Sequence, residues 1–227
     1  MIKHAIVPES PGATEPAAAS VQRRPPQPLV GATFVAGAAA RAQLPAAGAP
    51  EVAFAGRSNA GKSSAINALA NRTRLAFASR TPGRTQQINF FALRCGGLVA
   101  DLPGYGYAAV SRDLKRTWQA FLWEYVTTRS PLIGLVVVID ARHGLKDLDR
   151  ALLEAYLPSG RPALLLATKC DKLNNAQRRE AVTRLRRDLA SACPGRVAQV
   201  DVVPFSATAR IGIEAADAVL ARWLGLA

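Results

Sequence analysis

Apolar and polar positions alternate along this chain with two periods, and the switching between them predicts the elements. EVAFAG (Glu51–Gly56) is a short apolar run and predicts a strand. KSSAINALAN (Lys62–Asn71) predicts a helix that ends in Asn. QINFFALRC (Gln87–Cys95) and LVADLP (Leu98–Pro103) flank Gly96-Gly97, a hairpin signal. Between Asp113 and Arg129, Leu114, Trp118, Phe121, Leu122, Tyr125 and Val126 recur at helical spacing. Leu132–Asp140 and Pro162–Lys169 are continuous apolar runs, as strands buried on both faces require. Helices are predicted after each, near Leu145–Leu157 and Asn174–Ala192. A last strand, Val200–Ser206, leads to a helix at Ile213–Leu224. The order predicts a three-layer α/β fold: a six-stranded, mostly parallel sheet with one antiparallel edge strand from the hairpin, and helices on both faces.

The pattern is missing from the start of the chain. Eight of the 15 prolines lie in the first 50 residues. Residues 1–28 are expected to be a disordered Pro/Ala-rich extension and 29–50 a partly ordered lead-in to a compact domain at 51–227. The opening MIKHAIVPES lacks the apolar core of a signal peptide, and Leu29–Ala40 is too short to span a bilayer. Cys95, Cys170 and Cys193 match no zinc or redox spacing, which fits reduced thiols in a cytoplasm.

The strongest chemical signal is GRSNAGKS, Gly56–Ser63, which fits G-x-x-x-x-G-K-[ST] between a strand and a helix. Its glycines let successive N–H groups of Gly56, Arg57, Ser58, Asn59, Ala60 and Gly61 curl around a phosphate, aided by the helix N-terminus. Lys62 can reach β- and γ-phosphates and Ser63 can ligate Mg²⁺. DLPG, Asp101-Leu102-Pro103-Gly104, follows some 40 residues later. Its Asp can hold Mg²⁺ through water, and the Gly104 N–H can bond a γ-phosphate. TKCD, Thr168-Lys169-Cys170-Asp171, ends a buried strand. Asp171 can accept two hydrogen bonds from guanine N1–H and its amine, whereas adenine leaves the carboxylate unpaired. The stem of Lys169 can lie along the base. In FSAT, Phe205 precedes the Ser206 and Ala207 amides, which could meet the guanine carbonyl. RTPGRTQQ, Arg80–Gln87, lies where a mobile loop would close over the γ-phosphate. Thr85 is the preferred second Mg²⁺ ligand there, with Thr81 its competitor.

GRSNAGKSS, TPGRTQ, DLPGYGYA, RHGLKDLD and TKCDKL together resemble the EngB (YihA/YsxC) family of the TrmE–Era–EngA–EngB–septin-like GTPases, over roughly Ala32 to the C-terminus. The resemblance implies a P-loop GTPase fold and a cytoplasmic assembly factor for the large ribosomal subunit, needed for normal cell division; a monomer is expected. It implies guanine-nucleotide contacts from Gly56–Ser63, from Gly83, Arg84, Thr85, Gln86 and Gln87, and from Asp101–Gly104, Thr168–Asp171 and Phe205–Ala207. Mg²⁺ would sit on Ser63 and Thr85. Two positions depart from the general pattern: Thr168 stands where most GTPases have Asn, although Thr is usual in this family, and Gly144 stands where Pro is expected.

Tyr105 follows the DLPG motif where many GTPases keep a water-orienting Gln. Hydrolysis is therefore expected to be slow, and completed either by K⁺ held at Asn59 or by a partner's group in trans. With Lys62 and Thr85, Asn59 is a candidate catalytic residue. The net charge of +13, from 29 Lys+Arg against 16 Asp+Glu, points to a polyanionic partner. Between Val52 and Ala100 there are seven basic residues and no acidic one, and Lys172–Arg196 is a second basic cluster. No aromatic-rich base-reading motif is apparent, so ribosomal RNA is expected to be bound by charge, without DNA sequence recognition. A membrane- or septum-associated scaffold GTPase is the main alternative. A metabolic P-loop kinase would have no use for TKCD.

Overall fold

The structure is a computed structural model that describes residues 26–76, 87–106 and 112–226, with side chains from residue 119 onward in the helix that starts at 112. Its strands are β1 (Thr33–Ala38), β2 (Glu51–Gly56), β3 (Ile88–Ala92), β4 (Leu98–Asp101), β5 (Leu132–Asp140), β6 (Ala163–Thr168) and β7 (Val200–Pro204). Its helices are α1 (Lys62–Leu69), α2 (Arg112–Thr128), α3 (Asp147–Tyr156), α4 (Asn175–Ala192) and α5 (Ile213–Trp223).

The strands form one seven-stranded sheet in the order β1-β3-β4-β2-β5-β6-β7. The expectation of six strands is corrected by β1, which the lead-in contributes. It pairs antiparallel with β3. The antiparallel strand, β3, consequently lies one place in from the edge, and β1 is the edge. Its Gly- and Ala-rich sequence carries little strand signal, but the aromatic Phe91 opposite Phe34 supplies a cross-strand partner. Residues before Pro26 lie outside the described residues, as does most of the loop expected at Arg80–Gln87.

Consecutive residues of the central strands face opposite sides. Leu135, Val137 and Ile139 of β5 join Ala53, Ala55 and Leu165 in one core, closed by Leu122, Tyr125 and Val126 of α2 and by residues of α3 and α4. Val136 and Val138 join Val52, Phe54 and Leu166 in the other, closed by α1 and α5. Burial on both faces explains why these strands read as continuous apolar runs rather than alternating ones.

At the base of β2, Glu51 is fully buried and accepts hydrogen bonds from the Tyr125 hydroxyl (2.8 Å) and the Arg129 guanidinium. Arg129 also donates to the carbonyl of Pro45, fastening the lead-in to the sheet.

Asp217 on α5 is fully buried, and neither carboxylate oxygen has a hydrogen-bond partner of normal geometry. Burial raises its pKa to about 7, and the nearby Gln27 amide and Arg210 offset only part of that effect. The folded protein therefore holds a proton that the unfolded chain releases near pH 4. Stability from this group is complete below that pH and is lost as pH rises through about 7. Asp217→Asn should flatten this slope, its advantage over the native chain in urea unfolding growing from pH 5 to pH 8.

Candidate functional site

The chain leaves β2 between β4 on one side and β5 on the other, so strand order diverges at the C-terminal end of β2. Such a divergence opens a crevice at the carboxyl ends of parallel strands. Arg57–Gly61 fills that crevice and leads into α1. Gly61 has φ 98°, a left-handed conformation that brings the first turn of α1 directly under the loop. Asn59 is also left-handed, at φ 63°, a region Asn tolerates better than most residues.

Lys62 opens α1, and its ammonium pairs with Asp101 Oδ1 at the end of β4. Both side chains are nearly enclosed, 10% and 4% exposed. Ser63 follows Lys62 in the same first turn. Gly104 lies against the backbone of Ser58. Tyr105 continues the contact: its N–H donates to Gly56 O (3.3 Å), and its carbonyl accepts from the Ser58 N–H (2.9 Å). The DLPG turn thereby becomes a short extra pairing on the P-loop.

β6 ends in Thr168, whose hydroxyl contacts the carbonyls of Ala60 and Ile139, so a threonine fastens the P-loop to the β6 end. Lys169 is left-handed (φ 57°), and its ammonium donates to Asn59 O at 2.7 Å while pairing with Asp140 at 3.0 Å. Cys170 is buried, and burial raises its thiol pKa. Asp171 Oδ1 accepts from Ser206 Oγ at 2.7 Å, and that hydrogen bond holds its pKa below the usual carboxylate value. Phe205 is fully buried, its N–H donating to Ala167 O and its carbonyl accepting from the Cys170 N–H. The Ser206 N–H, expected to be available for a ligand, is instead donated to Ile211 O at 3.0 Å. Of the two amides, Ala207 remains as the candidate donor.

Gly56–Ser63, Asp101–Gly104, Thr168–Asp171 and Phe205–Ala207, scattered in sequence, thus meet at one end of the sheet. Gly83, Arg84, Thr85 and Gln86 lie outside the described residues, as does Thr81; Gln87 is exposed just before β3.

The sequence profile of the family described as 50S ribosome-binding GTPase matches residues 51–169. A probable GTP-binding protein EngB of Aromatoleum aromaticum is 49% identical over 195 residues, covering 86% of this chain and 88% of that protein. The chain belongs to the EngB family of GTP-binding proteins. An EngB of Bordetella pertussis is 50% identical over 200 residues, covering 85% of this chain and 94% of its own. The crystal structure of a probable GTP-binding protein EngB shares the fold at 20% identity, with a TM-score of 0.62 over 77% of this chain and 98% of that one.

In this EngB protein the Tyr105 hydroxyl is committed elsewhere: it donates to Asp149 Oδ1 at 2.7 Å. Burial raises the Tyr105 pKa well above its ordinary value, with the Asp149 charge and hydrogen bond acting in the same direction, so the phenol stays a neutral donor. Asp149 Oδ2 meanwhile accepts the N–H of Lys146 at the start of α3. Burial raises the Asp149 pKa despite these two donors. Tyr105→Phe strips one donor from a buried carboxylate and should cost about 1–3 kcal/mol in urea unfolding. GTP turnover by the folded variant should be unchanged. Lost turnover at native stability would put the hydroxyl in the chemistry instead.

Asp140, Arg142 and Asp149 were not assigned roles from sequence, although they lie in or beside RHGLKDLD. Asp140 ends β5, and partial burial works against its charge, but the forked Arg142 guanidinium and Lys169 hold its pKa well below the usual range. With Arg57, Ser58, Asn59 and Lys169, Asp140 and Arg142 line a polar cleft of about 260 Å³ beside the P-loop. The signal available in the sequence was position: RHGLKDLD begins just after a buried parallel strand, on the same edge as the P-loop. Gly144 has φ 69°, which proline cannot adopt, so the turn here differs from one built on Pro. The Arg184 guanidinium comes within 3.2 Å of where a Cβ would stand and donates to Ala141 O at 2.8 Å.

Proposed function

We propose that this EngB protein binds GTP and GDP through the assembled end of the sheet, hydrolyses GTP slowly, and acts in assembly of the large ribosomal subunit, with normal cell division depending on it. The observation that carries the nucleotide reading is the coupling of base and phosphate elements. Thr168 and Lys169 are tied to the carbonyls of Ala60 and Asn59, while Asp171 is held by Ser206. A carboxylate fixed in this way is a preorganised acceptor for guanine N1–H and the exocyclic amine.

An incoming phosphate would compete with Asp101 for the Lys62 ammonium. Asp101 and the neighbouring Ser63 offer the hard oxygen donors that suit Mg²⁺, Ser63 directly and Asp101 through water. Thr85 remains the proposed second protein ligand. Bound Mg²⁺ would neutralise charge on the β- and γ-phosphates. The side chain that stands where Gln would be, Tyr105, is tied to Asp149 instead, which supports weak intrinsic turnover. K⁺ at Asn59 or a partner's group would then supply the missing stabilisation.

The ribosomal reading is supported by the family's description and by the net charge of +13. Among the described residues no helix is long and apolar enough to cross a membrane. The test is co-sedimentation of the protein with large ribosomal subunits and with anionic liposomes, in a GTP analogue, in GDP and without nucleotide. Selective association with the subunit in the GTP-analogue state is expected. Association with liposomes alone would transfer the role to a membrane scaffold.

A further inference from the structure

We propose that the sheet edge at β1 is a stacking platform for single-stranded nucleic acid, with Phe34 as the base-stacking side chain and Arg94, Arg72 and Arg74 as phosphate contacts. This rests on the ribosomal reading, which makes the strand RNA, and it names the surface that reading leaves open.

Phe34 and Val35 are 59% and 52% exposed, the exposed large hydrophobic residues among those described. The Phe34 ring meets Phe91 edge-on, with centroids 5.9 Å apart and planes at 71°, so it is braced within the sheet while much of it faces solvent. The pairing of β1 with β3 is irregular between Phe34 and Ala36, leaving Val35 as an extra residue. A bulge at an edge kinks the strand and interrupts its row of backbone groups, which disfavours a further strand from a second copy or an extended peptide.

The segment that builds this edge is basic, although Glu124 of α2 reaches in to pair with Arg41 just after β1. Between residues 16 and 100 the sole acidic residue is Glu51, and it is fully buried against Arg129 and Tyr125. Arg72, Arg74 and Arg94 are exposed, and no carboxylate among the described residues pairs with them. The Arg94 side chain lies over Gly31, just before β1. Leu75 and Ala76, which follow Arg74, pack into the same core face as Phe91, the neighbour of Phe34. Their loop is clamped by Asn67, whose side chain accepts from the N–H groups of both residues. An exposed aromatic face beside one unpaired arginine, with two more on a loop of the same core face, suits unpaired bases by stacking and their backbone by charge. A duplex, with its bases already stacked, could use the arginines alone.

The probe is a dye-labelled 12-nucleotide oligouridylate, titrated by fluorescence anisotropy over a range of salt. Phe34→Ala is expected to weaken binding by about 5- to 150-fold with an unchanged salt slope. Phe34→Trp should retain binding. Arg94→Ala should reduce the slope of log K against log salt by about 0.7. Duplex RNA should be indifferent to Phe34→Ala. Unaltered oligouridylate binding by Phe34→Ala would overturn the proposal, as would a dimer in sedimentation equilibrium that this substitution dissolves. If Phe34→Ala still co-sediments with large ribosomal subunits as the native protein does, the platform fails and the ribosomal reading stands. If the native protein does not co-sediment, that reading itself fails.

Discussion

Asp171→Asn should lower the affinity for GDP by about 10⁴-fold and raise that for xanthosine diphosphate. The wild-type carboxylate has one oxygen held by Ser206 Oγ at 2.7 Å; the other, with the exposed Lys172 ammonium 3.5 Å away, can accept from guanine. In the variant, Ser206 can still donate to the amide oxygen, so the amide nitrogen takes the second position. Two donors would then face each other where guanine presents its amine. A site built to pair a polar group rejects a ligand that cannot pair it by about 10⁴-fold. Xanthine carries a carbonyl at that place and accepts from the amide. Calorimetric titration with both diphosphates checks the claim. Equal GDP affinities for the variant and the native protein would remove Asp171 from base recognition.

Lys62→Ala carries the second large effect, in two readouts. It should reduce GTP turnover by about 10²–10³-fold, the scale of losing one charged donor that stabilises the transition state. It should also destabilise the protein by about 3–5 kcal/mol in urea unfolding, because Asp101, only 4% exposed, is left as a buried charge without its partner. The double variant Lys62→Ala/Asp101→Ala should recover much of that stability and none of the turnover. A purely phosphate-binding lysine would show the kinetic loss without the stability change. A purely structural one would show the reverse.

The part of the site legible in sequence is the part whose geometry is local. A P-loop works through consecutive backbone N–H groups, so its residue types must fall at fixed spacing, and Gly56–Ser63 can be read directly. β5 was legible for a similar reason: Leu132–Asp140 is apolar throughout because both of its faces are covered. β1 was not, since Gly and Ala leave no periodic pattern. Its place depends on Phe91 and on the bond from Arg129 to Pro45, both remote in sequence. Tyr105 shows the same boundary. Its departure from Gln was visible, but the acceptor that engages it, Asp149, lies 44 positions away on α3.

By itself, then, the sequence determined the α/β class, the P-loop, the order of the DLPG and TKCD motifs behind it, and the excess of positive charge. Each of these is a property of neighbouring residues or of composition. Only the tertiary structure decided that Lys62 pairs with Asp101, that Thr168 fastens the P-loop to β6, that the Ser206 amide is consumed by Ile211, and that Phe34 stands exposed on the edge strand. The reason is physical: hydrogen bonds, ion pairs and burial depend on distances in space. The crossovers of this sheet bring together groups separated by tens to more than a hundred residues along the chain.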